Sequence, residues 1–228
     1  MNPGDIISYM DMCQKEGINL QRGMNFHLQN FCSVILMSVR LGAPYADRIE
    51  DDGKILIYEG HDASRRDAKN PKRVDQPMKN PGGSLTQNGL FYEAALKFKN
   101  KQADSEKVRV YEKIKAGIWA YNGIFRLTDS WIEKVGQRSV FKFRLELTDQ
   151  TDISSAEKID LEHNRLIPTH VKIDVWKRDG GQCVLCGSAD NLHFDHDIPF
   201  SKGGTSISSK NIKLLCARHN LNKSDRIQ

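Results

Sequence analysis

The chain has 228 residues, of which 39% are hydrophobic and 28% are charged, with a net charge of +5 at pH 7. The composition is globular, and its five cysteines are too few and too scattered for a disulfide framework. No apolar run approaches the roughly 18 residues of a membrane span and no secretory signal is evident, so we expect a reduced, soluble, intracellular protein whose basic charge suits a polyanionic partner.

Residues 1–147 predict a domain of many short strands and few helices. Apolar spacing from Met1 predicts a first helix that ends at Gly17, and the capping residues near Ser84 predict a second helix that reaches about Phe98. Strands are expected at 34–39, at 55–58, from 108, after a turn at 121–123, and at 139–147. This content indicates the α+β class with a barrel-like or crescent sheet.

Residues 148–168 are polar and predict a linker or a short connecting helix. A helix with apolar positions Val171, Val175 and Trp176 should then open a second domain at 169–228. Two glycines, Gly180 and Gly181, are expected to turn the chain into the next segment.

Two ligand pairs in the second domain predict a structural zinc site. Cys183 and Cys186 form one pair, and Cys216 and His219 form the other, about thirty residues later. Paired ligands two residues apart on tight turns supply the tetrahedral geometry that Zn²⁺ requires. The alternative, a group of buried cysteines without metal, would require two correctly spaced pairs to arise by accident.

The segment between the zinc pairs predicts a strand, a loop, a second strand before Asn211, and a helix from Asn211 onwards. Asp195 and His196 close the first strand, whereas Asn220 and Lys223 fall on the helix. His193 shares a strand face with Asp195 and is equally open as a ligand or a bystander. Asp197 is expected to be a loop residue rather than a metal ligand.

This segment resembles the HNH nuclease family, over roughly residues 165–226. The resemblance implies a ββα-metal fold in which Asp195 and Asn220 hold Mg²⁺ or Mn²⁺ and His196 is the general base. It further implies that Asn211 fixes the loop that orients this base, and that Lys223 faces the phosphate. His219 departs from the usual fourth cysteine, but histidine is an ordinary zinc ligand.

Residues 20–147 resemble the SRA (YDG) domain, a PUA-like β-barrel that reads modified cytosine in DNA. The resemblance depends on a series of short motifs in the family's order: Tyr45-Ala-Asp47, Tyr58-Glu-Gly60, Leu85-Thr-Gln-Asn88, Val108-Arg-Val110, Tyr121-Asn-Gly-Ile-Phe125, Trp131 and Phe141-Lys-Phe-Arg-Leu145. Each motif is weak alone, and their common order makes the resemblance specific.

The SRA resemblance implies that a flipped cytosine is sandwiched between two aromatic rings and bound by a carboxylate. Tyr45 and Tyr58 are the candidate rings, although plain core packing is the alternative. Asp47 is the candidate carboxylate, but the family often has its aspartate one position later, where this chain has Arg48, so Asp62 stays an alternative.

A polar, basic loop follows Tyr58 and is expected to contact DNA, although most charge runs are only solvated surface. Its candidate contacts are Arg65, Arg66, Lys69, Lys72 and Arg73.

Together the two resemblances imply a type IV-like restriction endonuclease. It would bind 5-methyl- or 5-hydroxymethylcytosine in double-stranded DNA and hydrolyse a nearby phosphodiester, with structural Zn²⁺ and catalytic Mg²⁺ or Mn²⁺. Because one ββα unit cuts one strand, we expect a homodimer, acting at the bacterial nucleoid in the cytoplasm without membrane contact. Two alternatives stay open: an HNH endonuclease that reads unmodified sequence or structure, and a zinc-stabilised DNA reader that does not cut.

Overall fold

The computed structural model describes residues 1–28, 32–148, 166–198 and 204–223. Within these ranges the N-terminal part is built on an eight-stranded mixed sheet, in the order β2-β3-β6-β7-β8-β5-β4 with β1 paired to β7. The strands are β1 (Ile6–Ser8), β2 (Met24–Leu28), β3 (Cys32–Met37), β4 (Arg48–Glu50), β5 (Ile55–Glu59), β6 (Lys107–Lys115), β7 (Ile118–Val135) and β8 (Arg138–Leu147). The sheet-dominated α+β architecture predicted from sequence is confirmed.

In the described N-terminal part, two α-helices accompany this sheet. The helix α1 (Tyr9–Glu16) begins at Ser8, whose hydroxyl accepts a hydrogen bond from the backbone of Asp11, and ends at Gly17. The predicted start near Met1 was wrong, because Ile6–Ser8 pairs with β7 as a strand. The helix α2 (Gln87–Lys99) begins after Thr86, whose hydroxyl accepts from the backbone of Gly89.

The segment predicted as a turn at 121–123 lies inside β7 instead. The register between β6 and β7 shifts between Val110 and Tyr111, opposite this segment, and Gly123 there has a φ of 104°. A β-bulge commonly places a glycine at positive φ, so the Tyr-Asn-Gly sequence bends a continuous strand and does not end it.

The C-terminal part contains α3 (Thr169–Arg178), the two-stranded antiparallel sheet of β9 (Leu192–His196) and β10 (Ile212–Cys216), and α4 (Ala217–Lys223). The prediction of a strand before Asn211 and a helix from Asn211 was wrong. The second strand follows Asn211 and ends at Cys216, and the helix begins only at Ala217. Ile212, Leu214 and Leu215 have spacings that fit both a strand and a helix, and pairing with β9 selects the strand.

The two parts share a hydrophobic core. Ile114 and Ala120, from β6 and β7, pack in one cluster with Val171 and Val175 of α3 and with Phe194 of β9. The predicted linker spans 148–168; residues 149–165 of it lie outside the described residues, but Leu166 and Ile167 are buried, in the N-terminal core and the shared core respectively.

A buried polar network reinforces this junction. The ammonium of Lys172, a residue that is 1% exposed, lies 2.7 Å from a carboxylate oxygen of Glu112 and donates to the amide oxygen of Asn122 at 2.7 Å. Thr169 donates to the other oxygen of Glu112. The carboxylate is fully buried, so these donors replace the water that it would otherwise bind. A second link joins Nδ1 of His193 to the Asp5 carboxylate at 2.6 Å.

Candidate active site and base cavity

Four side chains at the C-terminal end of the molecule form a cluster that could hold a metal ion. The sulfur atoms of Cys183, Cys186 and Cys216 and a ring nitrogen of His219 all lie within 4.8 Å of one another. Nδ1 of His219 is 3.3 Å from the sulfur of Cys183 and 3.4 Å from that of Cys216. A tetrahedron with Zn–S bonds of about 2.3 Å has edges of about 3.8 Å, so the donor set and its spacing fit zinc.

The thiol of Cys183 is prepared for metal binding. Burial opposes its ionisation, but hydrogen bonds from the backbone of Cys216 and Leu185 and from the His219 ring outweigh burial and lower its pKa to about 6. Zinc binds the thiolate form, so the chain itself reduces the cost of deprotonating this ligand.

The loop between β9 and β10 is fixed by Asn211. Its side-chain amide donates to the backbone oxygens of Ile198 and Thr205, both at 3.0 Å, and its amide oxygen accepts from the backbone of Ile198 at 2.8 Å. Gly204 packs so closely here that an added Cβ would lie 1.8 Å from the Ile198 carbonyl oxygen. Ile198 on one side of this loop and Gly204 and Thr205 on the other are therefore held close together.

His196 lies at the end of β9 beside this loop. Its Nε2 is 2.8 Å from the hydroxyl oxygen of Ser206, a residue that is 6% exposed. Ser206 was not predicted from sequence, because nothing in a Thr-Ser-Ile segment marks a contact with a histidine ten residues away. The proposed roles of His196 and Asn211 concern chemistry and stay predictions, but both side chains adjoin the same loop.

The candidate magnesium ligands lie on neighbouring elements. Asp195 is on β9 opposite Lys213, and Asn220 is on α4, which packs on β9. Both residues are partly exposed. Their carboxylate and amide oxygens are the hard donors that Mg²⁺ prefers, so the donor set fits that ion. Asp197 instead lies 2.6 Å from the ammonium of Lys213, and Lys223 ends α4 with its side chain outside the described part of the structure.

A cavity of about 700 Å³ opens in the N-terminal part beside Tyr45. Its walls come mainly from four loops, which lie before β2, between β3 and β4, after β5 and before α2. They include Arg22, Tyr45, His61, Asp62 and Thr86. We call it the Tyr45 cavity. Its volume is within the range that suits a ligand of nucleobase size or larger.

The two candidate carboxylates occupy different places. Asp62 lines the Tyr45 cavity, whereas Asp47 lines a second cavity of about 540 Å³ at the junction with α3. Asp47 accepts hydrogen bonds from the backbone of Ser38 and Glu59, and burial raises its pKa to about 7. The structure therefore associates Asp62, not Asp47, with the ring of Tyr45.

A charged network holds Asp62. Its carboxylate contacts Arg138 at 2.7 Å, Lys72 at 2.9 Å and the Gln76 amide at 3.3 Å. Burial opposes the ionisation of Asp62, but these three donors outweigh burial and hold its pKa below the ordinary value. Arg138 also pairs with Glu59, so the network continues into the sheet.

The predicted second ring, Tyr58, lies in the core of the N-terminal part and is 3% exposed. Its hydroxyl lies so close to Gly23, a residue of the cavity wall, that a Cβ added there would be 2.7 Å from it. Tyr58 therefore packs against the wall from the core side. The sequence made both Tyr45 and Tyr58 candidate rings, because a tyrosine in a strand-rich segment can lie either in a core or on a binding surface. The spacing alone could not distinguish the two positions.

The basic loop after β5 divides into two kinds of residue. Arg65, Arg66, Lys69 and Arg73 are exposed. Lys72 instead lies over the Tyr45 ring, 4.1 Å from its centroid, and also donates to the Pro44 carbonyl oxygen. Lys72 is also exposed, with 46% of its side chain accessible, but its ammonium already pairs with Asp62 and so contributes to the Tyr45 cavity.

Comparison with protein-family models matches residues 1–150 to the SAD/SRA domain and residues 183–226 to HNH endonuclease. The chain belongs to the SAD/SRA family. The Tyr45 cavity lies in the SAD/SRA part, and the Cys3His cluster and His196 lie in the HNH part, in the order that the sequence resemblances predicted. A comparison with curated proteins found no match.

Several solved structures are similar to this chain. The SUVH5 SRA complex with hemi-methylated CG DNA is 24% identical, with a TM-score of 0.47, over 67% of this chain and 92% of that one. The SUVH5 SRA bound to fully hydroxymethylated CG DNA is 22% identical, with a TM-score of 0.44, over 64% and 88%. Arabidopsis thaliana SUVH6 in complex with SAM is 18% identical, with a TM-score of 0.44, over 75% and 28%.

Among the described residues, no helix is both long and apolar enough to cross a membrane.

Proposed function

We propose that the chain is a modification-dependent DNA endonuclease of the type IV restriction class. The observation that carries this proposal is that one chain combines an SAD/SRA domain with an HNH match in which His196 adjoins a loop fixed by Asn211. The SAD/SRA part would select a 5-methyl- or 5-hydroxymethylcytosine, and the HNH part would hydrolyse a phosphodiester nearby.

In the Tyr45 cavity, the flipped cytosine would stack on Tyr45 and donate its exocyclic amine to Asp62. The support is that both groups line one cavity and that Asp62 is held as a carboxylate, which can only accept. Lys72 and Arg138 position this acceptor. The exposed Arg65, Arg66, Lys69 and Arg73 would contact phosphates around the site.

In the HNH part, His196 would take a proton from the attacking water. The 2.8 Å contact between its Nε2 and the Ser206 hydroxyl would orient the imidazole for this role. Asp195 and Asn220 would hold Mg²⁺ or Mn²⁺, which supplies charge stabilisation at the phosphate when bound. Asn211 holds the loop that carries Ser206, and Lys223 is proposed to face the phosphate. The Cys3His cluster would hold Zn²⁺ as a structural ion without a role in the chemistry.

The deciding experiment is a cleavage assay with Mg²⁺ or Mn²⁺ on matched duplexes that carry cytosine, 5-methylcytosine or 5-hydroxymethylcytosine. We expect cleavage of at least one modified duplex and its loss in His196→Ala. His27→Ala, which alters an exposed histidine on β2, is the matched control and should cut normally. Equal cutting of all three duplexes would favour an HNH enzyme that reads unmodified DNA, and modified-DNA binding without any cutting would favour a pure reader.

A double-strand break by single ββα units requires two copies, so we propose a homodimer on DNA. Mixing wild type with an excess of His196→Ala should then convert double-strand breaks into nicks, because mixed dimers hold one active unit. Double-strand cutting that falls only in proportion to the wild-type fraction, without nicks, contradicts the dimer.

A further inference from the structure

His61 is fixed in place beside the Tyr45 cavity by its backbone. The residue follows β5, and its backbone N–H donates to the Asn88 amide oxygen at 2.9 Å, while the Asn88 amide donates to the His61 carbonyl oxygen at 2.9 Å. Asn88 is fully buried in α2. The position of His61 is therefore set by the packed core, and the residue lines the cavity.

The hydrogen bond at Nδ1 determines which ring nitrogen of His61 carries the proton. Nδ1 lies 2.9 Å from the backbone carbonyl oxygen of Asp62. A carbonyl oxygen only accepts hydrogen bonds, so Nδ1 must be protonated. Burial lowers the pKa of His61, which favours the neutral ring at pH 7. A neutral ring with its proton on Nδ1 presents a lone pair at Nε2.

Within the described residues, the hydrogen bonds of His61 involve its backbone and Nδ1, which leaves Nε2 as an acceptor at the cavity wall. Such an acceptor differs from Asp62, whose carboxylate already accepts from Arg138, Lys72 and Gln76. The cavity thus offers two different hydrogen-bond acceptors. The Asp62 carboxylate is charged and already accepts from three protein groups, whereas Nε2 of His61 is neutral and can accept from a ligand.

We propose that His61 is a specificity-determining residue whose Nε2 accepts a hydrogen bond from a donor group of the base in the Tyr45 cavity. The inference rests on the proposed function, because it requires a base in that cavity. Two groups of a modified cytosine can donate: the exocyclic amine, and the hydroxyl of a 5-hydroxymethyl substituent. A 5-methyl group cannot, and a base with a carbonyl at this position would meet the lone pair unfavourably.

The test compares His61→Leu with His61→Gln in the full chain. Both variants lose the Nδ1 bond to Asp62, but glutamine can place an amide oxygen where histidine has Nε2, whereas leucine has no acceptor. Affinities are measured without Mg²⁺ or Mn²⁺ on duplexes of one sequence that carry cytosine, 5-methylcytosine or 5-hydroxymethylcytosine. The unmodified duplex, bound through phosphates, controls for the integrity of the fold.

We expect His61→Leu to weaken binding of a modified duplex about tenfold, because it leaves a buried donor unsatisfied, and to leave the unmodified duplex unchanged. His61→Gln should retain most of the wild-type preference. Equal losses for both modified duplexes assign the donor to the exocyclic amine, and a loss confined to 5-hydroxymethylcytosine assigns it to the hydroxyl.

An undiminished preference in His61→Leu overturns the inference, as does a His61→Gln loss equal to that of leucine, since the Nδ1 bond would then be the one that matters. A wild type without any preference overturns the proposed function as well, so the two failures are distinguishable. In the wild type, the ¹⁵N resonance of the His61 Nε2 should shift on addition of the modified duplex and not of the unmodified one. No shift overturns the inference even where a variant fails to fold.

Discussion

Nε2 of His196 lies 2.8 Å from the hydroxyl oxygen of the buried Ser206. Ser206 follows Thr205, whose carbonyl oxygen is bound by the side chain of Asn211. The proposed general base therefore contacts a loop that is itself held by Asn211, the residue that directly precedes β10.

We expect Ser206→Ala to lower kcat about tenfold with little change in KM, because the imidazole loses its orienting partner. The measurement is steady-state kinetics of both proteins, which separates the change in kcat from the change in KM. Ser209→Ala, on the same loop, is the matched control, and an equal effect there would attribute the change to the loop rather than to the contact.

Lys172→Met should destabilise the protein strongly, by about 3–5 kcal/mol, because it leaves the Glu112 carboxylate buried without its cation. Adding Glu112→Gln should recover most of that loss, because the charge that lacked a partner is gone. Urea unfolding of the two single variants and the double variant measures the coupling. Additive effects would mean that the two side chains do not act as a pair.

Asp47 should make the free energy of unfolding depend on pH. Burial raises its pKa from the ordinary 3.8 to about 7, so the folded state binds this proton more tightly than the unfolded state. Its contribution to stability is complete below about pH 4 and is lost as the pH rises to 7, by at most about 4 kcal/mol. The measurement is the stability difference between wild type and Asp47→Asn across this range. A difference that is flat with pH would show that Asp47 is ionised throughout.

Removal of zinc should destabilise the HNH part. We expect about one zinc ion per chain. Cys186→Ser should lower both the zinc content and the thermal midpoint, because the four ligands come from β10, α4 and the turn that begins at Cys183, and the metal holds these segments together. Cys13→Ser is the control, since Cys13 lies on α1 outside the cluster. Full zinc content in Cys186→Ser would exclude this residue from the site.

Lys69 and Lys72 are three residues apart in one basic loop but should behave differently. Lys69→Ala should weaken modified and unmodified DNA alike and reduce the slope of log affinity against log salt by about 1. Lys72→Ala should leave that slope nearly unchanged and reduce the preference for modified DNA, because Tyr45 and Asp62 lose their shared contact. The test is a salt titration of DNA binding by both variants. Identical slopes of log affinity against log salt would contradict the different roles assigned to Lys69 and Lys72.

The zinc ligands and the HNH residues could be predicted because their chemistry requires particular residue types at short spacings. Cys183 and Cys186 are recognisable without any knowledge of the fold, and α3 was predicted from its apolar spacing. The strand β10 was not, because a five-residue apolar segment suits either a strand or a helix until its partner is known.

The surroundings of the candidate sites could not be predicted, because they depend on residues far apart in the chain. Asn88 fixes His61 across 27 positions, and Arg138 reaches Asp62 across 76. The association of Asp62 rather than Asp47 with Tyr45 likewise depends on how the loops close, which no local spacing encodes.

The shared core at the junction sets a limit on modular exchange. A nuclease module transplanted at the linker would leave behind the apolar surface of Ile114 and Ala120 and the carboxylate of Glu112, all of which it covers in the intact chain. A recipient domain would have to carry a matching face, or the graft would start with exposed apolar area and with Lys172 lacking the carboxylate that it pairs with here. A functional exchange of modules would therefore have to preserve the packed interface between the β6–β7 face and α3. A cut in the polar segment between the two parts does not preserve it.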